Sequence, residues 1–230
     1  MCKKAKGVGH SGMIKAIIFD FDGLILDTET HDYEVLQEIF QEHGSDLPMS
    51  VWGKVIGTAA GFEPFSYLEE QLQTKLDHDV LTNTRKERFL KRMENENPRA
   101  GVEAYITAAK ELDLKIGLAS SSDYKWVTQH LKQIGLYDDF ECIKTADDVK
   151  EVKPNPELYL QAAACLAVKP EECLAFEDSV NGSIAAKRAG MKCVIVPNKV
   201  TKSLLFEQYD HRLESMAEME FEQLIQKVSQ

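Results

Sequence analysis

A chain of 230 residues, 43% hydrophobic and 28% charged, holds enough apolar material for one full core with a smaller unit beside it. Its net charge of −11 argues against nucleic acid or anionic membrane as the main partner, and no apolar run is long enough to cross a bilayer. The five cysteines (Cys2, Cys142, Cys165, Cys173, Cys193) are scattered and lack a Cys-x-x-Cys pair, so they read as buried free thiols in a reducing cytoplasm.

Residues 1–12 are basic and contain glycine but no apolar stretch, which excludes a secretory signal. A loose leader is expected, with the fold starting near Met13. Residues 15–28 read KAIIFDFDGLILDT. The apolar run 16–19 has the length of a strand buried on both faces, although periodicity alone does not distinguish it from a buried helical segment. Asp20 and Asp22 follow at once, and Gly23 lets the backbone turn sharply. Taken alone, this stretch reads equally well as an acidic turn or as a ligand site. The spacing argues against an EF-hand loop, whose glycine belongs at the sixth position and here stands fourth.

Residues 29–97 carry helix signals and no strand signal. A helix is expected over 31–43 from Val35, Leu36, Ile39 and Phe40, with Gly44 as its stop. A short helix follows Pro48, another is marked by Phe65, Leu68 and Leu72, and a polar one spans 79–95. The block reads as a helical unit inserted after the first strand.

From Gly101 helices and strands alternate. Strands are expected over 114–119, 140–143, 174–176 and 192–196, the last being the final one. Asn155 and Pro156 announce a helix, Asn as its cap and Pro at its first position. Ser179 caps another, and 221–228 closes the chain as a helix. Such alternation calls for a parallel sheet with right-handed crossovers. The expected fold class is α/β, a Rossmann-like three-layer parallel sheet core (1–28 and 98–230) with an inserted α-helical cap (29–97).

Polar groups stand at four strand ends or loops: Asp20 with Asp22, Ser120, Lys153, and Glu177 with Asp178. A parallel sheet brings its carboxyl ends to one edge, so these groups can converge. Four carboxylates and one lysine suit a hard cation such as Mg²⁺, and metal plus lysine would supply the local positive charge that an anionic ligand needs in an acidic chain.

These residues resemble the haloacid dehalogenase-like hydrolases, in particular the phosphatase and β-phosphoglucomutase branch with a helical cap. The resemblance rests on Asp20-Phe21-Asp22-Gly23 with Asp27-Thr28, on 118–122, on 152–156, and on Phe176-Glu177-Asp178-Ser179 followed by Gly182. It implies that Asp20 is the nucleophile, forming an aspartyl-phosphate, and that Asp22 is the general acid and base. Asp20, the backbone carbonyl of Asp22, Asp178 and Glu177 (directly or through water) would hold Mg²⁺. Ser120, with Ser121 and the neighbouring N–H groups, would hold the phosphate, and Lys153 would offset its charge. Plainer roles stand beside these. Ser120, Ser121 and Ser122 suit helix caps, Glu177 a hydrogen-bond acceptor behind the ligands, and Lys153 a surface lysine. The 57–61 loop, with Gly57 and Thr58 facing the substrate, could equally be an ordinary helix–helix turn.

The chain departs from the mutase pattern. Similar mutases carry a histidine at the position of Asp32, whereas here His31 stands one residue early, turned by about 100° on a helix. They also carry an arginine where this chain has Ala60. The expectation is therefore a Mg²⁺-dependent phosphatase acting on a small phosphorylated metabolite. A sugar-phosphate mutase and a non-catalytic phosphate-binding protein are the alternatives. A cytoplasmic monomer is expected, with neither nucleic acid nor membrane as partner.

Overall fold

The computed structural model describes residues 13–57 and 61–229. β1 (Ala16–Phe19) is buried at every position. Ile17 and Phe19 enter one apolar layer, Ala16 and Ile18 the other, as the two-residue period of a strand requires. A strand buried on both faces belongs mid-sheet. β2 (Lys115–Ala119) and β4 (Cys173–Glu177) flank it. β3 (Cys142–Lys144) lies outside β2, and β5 (Lys192–Ile195) and β6 (His211–Arg212) lie beyond β4. The order is β3-β2-β1-β4-β5-β6, parallel at every pairing.

Helices cover both faces, making three layers. α5 (Val102–Glu111), α6 (Tyr124–Gln133) and α9 (Phe221–Val228) pack on the side of Ile17 and Phe19. α7 (Glu157–Cys165) and α8 (Val180–Arg188) pack on the side of Ala16 and Ile18. Short polar side chains start the helices that follow strand ends. Asp123 accepts from the Trp126 amide, and Ser179 from that of Gly182. α7 begins later than expected, with Pro156 rather than Asn155 at its cap, but the Asn155 side chain still accepts from the Glu157 amide (3.0 Å).

Between β1 and α5 lie α1 (Thr28–Glu42), α2 (Met49–Trp52), α3 (Pro64–Leu72) and α4 (His78–Met93). They share an apolar cluster of their own, including Leu36, Phe40, Trp52, Phe65 and Leu68. α1 starts at Thr28, ahead of the expected 31, because Asp27 caps it. α4 is polar because its arginines face α1: Arg85 meets Asp32, Arg88 meets Glu42, and Arg92 meets Glu34 and Glu38.

Two expectations need correction. β6 went unread, since two residues carry no period. Cys142 on β3 and Cys165 on α7 are joined as a disulfide, while Cys173 and Cys193 are free and buried. Cysteine usage therefore carries no argument for a reducing compartment. The expected leader, 1–12, lies outside the described residues. Among those described, no helix is long and apolar enough to cross a membrane.

Candidate active site

β1 sits between β2 and β4, so the residues that leave these strands are neighbours at the carboxyl edge. Asp20 follows β1, Ser120 follows β2, Glu177 ends β4 and Asp178 follows it. All four side chains are buried. Lys153 arrives from the loop before α7, joined to Pro154 by a cis peptide bond, and is 1% exposed. Its ammonium donates to Asp20 Oδ1 and, at 2.6 Å, to Glu177 Oε1.

Glu177 has further partners. The Tyr159 hydroxyl donates to Oε1 (2.5 Å), and the Ser179 hydroxyl donates to Oε2 (3.2 Å). Asp178 is less fully met. Its Oδ2 accepts from Asn198 Nδ2 (2.7 Å), but its buried Oδ1 has no hydrogen-bond partner. One oxygen from each of Asp20, Glu177 and Asp178 lies within 4.8 Å of the others. Gly23, at φ +82°, forms the floor, and a Cβ there would run into the Asp178 carboxylate.

Burial pushes the Asp20 carboxyl up to about 8, against the pull of Lys153, with Glu177 adding to the rise. Burial, then Asp20 and Glu177, holds Asp178 well above the usual carboxylate range. Burial opposes the Lys153 charge, but the two carboxylates outweigh it and hold the ammonium above its ordinary value. The raised Asp20 and Asp178 mark a cluster that ionises fully only beside more positive charge than Lys153 and the nearby Arg99 supply. The unmet Asp178 oxygen and the all-oxygen donor set fit a hard divalent cation.

Asp22 points elsewhere. Its Oδ2 accepts from Ser122 Oγ (2.6 Å), with Ser120 Oγ at 3.5 Å, and its Oδ1 accepts from Trp126 Nε1 (2.9 Å). Its carboxylate lies outside the three-acid cluster, leaving only its backbone carbonyl as a metal donor. Ser120 is not a helix cap, since Asp123 caps α6. Its hydroxyl instead accepts from the Ser122 amide (3.0 Å). Ser121 Oγ donates to the Gly57 carbonyl (3.1 Å), stitching the edge to the helical unit. Thr58 and Ala60 lie outside the described residues.

A cleft of about 530 Å³ separates this edge from α1 and α4. Asp20, Asp22, Ser120 and Trp126 line it from below, and Glu29, Asp32, Arg85 and Phe89 from above. His31 faces away, bonded to Glu96 (2.7 Å), whereas Asp32 is held by Arg85 Nε and Nη2 (2.8 and 2.5 Å). Burial first, then Asp22 and Asp32, pushes the Glu29 carboxyl well up.

The sequence reading missed Trp126, Tyr159, Asn198, Glu29 and Arg85. Trp126 and Tyr159 read as apolar helix positions, which conceals a polar tip. Asn198 follows the last strand expected, and that position was a usable signal. Nothing local marks Arg85, whose partner is fifty-three residues away.

A profile of the haloacid dehalogenase-like hydrolases matches residues 17–196. The chain is 79% identical over 213 residues to "Putative phosphatase YhcW" of Bacillus subtilis (strain 168), an alignment covering 93% of this chain and 97% of that one. It is 31% identical over 185 residues to "Phosphorylated carbohydrates phosphatase" of Thermotoga maritima, covering 78% and 83% respectively. Among solved structures, CbbY from Rhodobacter sphaeroides in complex with phosphate superposes with a TM-score of 0.69 at 29% identity, covering 90% of this chain and 96% of that one.

Proposed function

The chain belongs to the haloacid dehalogenase-like hydrolase family and is a phosphatase of it, and we propose that it hydrolyses a small phosphorylated carbohydrate through an aspartyl-phosphate. The observation that carries this reading is the meeting of Asp20, Lys153 and Asp178 on one sheet edge, with one Asp178 oxygen unmet.

Asp20 Oδ attacks phosphorus, and the bond to the leaving oxygen breaks. Asp22 gives its proton to that oxygen, then takes one from the water that frees the phosphate. Ser120, with the N–H groups that follow it, receives the phosphate oxygens, and Lys153 offsets their charge. Glu177, saturated by Lys153, Tyr159 and Ser179, keeps the lysine aimed at Asp20. Asp20, Asp178 and the Asp22 carbonyl would hold Mg²⁺, with Glu177 reaching it only through water because Lys153, Tyr159 and Ser179 occupy its oxygens, and the ion would supply Lewis-acid stabilisation of the phosphoryl charge.

The cap side supports a neutral, hydroxyl-bearing leaving group. Glu29 and Asp32 offer carboxyl oxygens to hydroxyls, and Arg85 is already committed to Asp32. With Arg85 committed, Lys86 is the cation left on that side of the cleft among the described residues, a point charge without the fork that grips a second phosphate, which favours hydrolysis over a mutase reaction through a bisphosphate.

The test is phosphate release from a panel of hexose and hexitol phosphates with Mg²⁺, with and without chelator, for the wild type and Asp20→Asn. Release that requires both Mg²⁺ and Asp20 is expected. No release across the panel, or full release by Asp20→Asn, refutes the reading, and isomerisation of β-glucose 1-phosphate outrunning release would make the enzyme a mutase.

A further inference from the structure

We propose that Trp126 is a positioning residue for Asp22, holding the acid–base carboxylate through its indole N–H, and that Phe89 ties this hold to the helical unit above the cleft. The assignment deepens the catalytic reading given for Asp22 and rests on it.

Indole nitrogen is only a donor. Trp126 Nε1 donates to Asp22 Oδ1 at 2.9 Å, across 104 positions of sequence. The ring is fixed from three directions. Asp123 accepts from the Trp126 amide (2.7 Å), which locks that residue into the first turn of α6. His130, one turn on, lies against the indole with centroids 3.8 Å apart, and its Nδ1 is 2.9 Å from the Trp126 carbonyl. Phe89, from α4, stacks on the indole at 5.7 Å and 28°. A ring held this way cannot follow Asp22 if the carboxylate rotates, so the carboxylate is held to the ring.

The consequence for Asp22 follows from counting. A carboxylate offers about four lone-pair sites. Ser122, Trp126 and, at longer range, Ser120 address three of them. About one site is left for the proton that passes to the leaving oxygen, and Asp22 lines the cleft where that oxygen must lie. Packing alone does not explain the arrangement. Trp126 is half-buried, lines the cleft itself, and could have turned its N–H to water. Phe89 sits on the helical unit and Trp126 on the sheet domain, so the geometry of Asp22 depends on both sides of the cleft.

The experiment compares leaving groups. p-Nitrophenolate departs without a proton, whereas a sugar alkoxide needs one as the P–O bond breaks. Trp126→Phe keeps the stack and removes the donor. It should lower kcat/KM, which reports formation of the aspartyl-phosphate and not the hydrolysis step common to both substrates, at least about tenfold on glucose 6-phosphate and by no more than about twofold on p-nitrophenyl phosphate. Phe89→Leu should fall in the same direction by less. Equal losses on both substrates, or none on either, would overturn the assignment.

A second measurement does not depend on turnover. The chain has two tryptophans, so two indole N–H signals are expected, and Trp126→Phe identifies one. Asp22→Ala should shift the Trp126 signal and speed its exchange with water, leaving that of Trp52 in place. An unmoved Trp126 signal overturns the hydrogen bond and the assignment with it. A moved signal in a protein with no Asp20-dependent phosphate release would show that the bond exists but that the catalytic reading, and hence the positioning role, is wrong.

Discussion

The Lys153 ammonium lies against the Asp20 carboxylate with both side chains almost out of reach of water, 1% and 9% exposed. The pair joins the proposed nucleophile to a cation that also serves Glu177.

Lys153→Met should therefore damage two properties together. It leaves two buried carboxylates unpaired, which costs about 3–5 kcal/mol when one partner of a buried pair is removed. It also removes a cation aimed at the transferring phosphoryl group, and turnover should fall by about 10²–10³. Urea unfolding and phosphate release measure the two effects, and a variant of unchanged stability would show that the pair is not buried as described.

Gly182 tests the second partner of that lysine. A Cβ on Gly182 would overlap the Glu177 carboxyl group, which Lys153 and Tyr159 prevent from swinging aside. Alanine gains up to about 1 kcal/mol in helix propensity, but overpacking a fixed site costs about 1–3 kcal/mol. Overpacking wins, so Gly182→Ala should lower the urea midpoint and reduce turnover through a displaced Glu177.

Metal binding is readable as stability. A cation that binds only the folded chain adds about 2.7 kcal/mol at a hundredfold excess over its Kd. Mg²⁺ should raise the Tm of the wild type and leave that of Asp178→Asn unchanged. The variant without metal should equal or exceed the metal-free wild type, since a buried oxygen with no partner has been neutralised. Calorimetry with and without chelator decides.

Alkaline pH should destabilise the protein. Burial pushes the Cys173 thiol from 9.0 up to about 12 and the Tyr105 hydroxyl from 10.0 up to about 12. Between those values the unfolded chain has released protons that the folded chain keeps, so the slope of unfolding free energy against pH is negative. Stability is full below pH 9 and is lost as pH rises towards 12. Urea midpoints at pH 8, 10 and 11 check this, and Cys173→Ala should flatten the earlier part of the decline.

Much of the architecture was legible because its signals are local. The run Ala16–Phe19 marks a strand by length and composition, and Val35, Leu36, Ile39 and Phe40 mark one buried helix face. β6 escaped because two residues define no period. The start of α1 was placed late because Asp27, a capping residue, was read as part of the acidic motif.

The sequence by itself determined that acidic, hydroxyl and amino groups stand at strand ends, and parallel pairing sends all such ends to one edge. That much required only order along the chain. Tertiary structure alone decided which oxygen of Asp178 goes unmet, that Trp126 reaches Asp22, that Arg85 is taken by Asp32, and that Cys142 meets Cys165. Each of these depends on the direction of a side chain on one element relative to another far away in the chain. Packing sets that direction, and no local pattern of residue types encodes it.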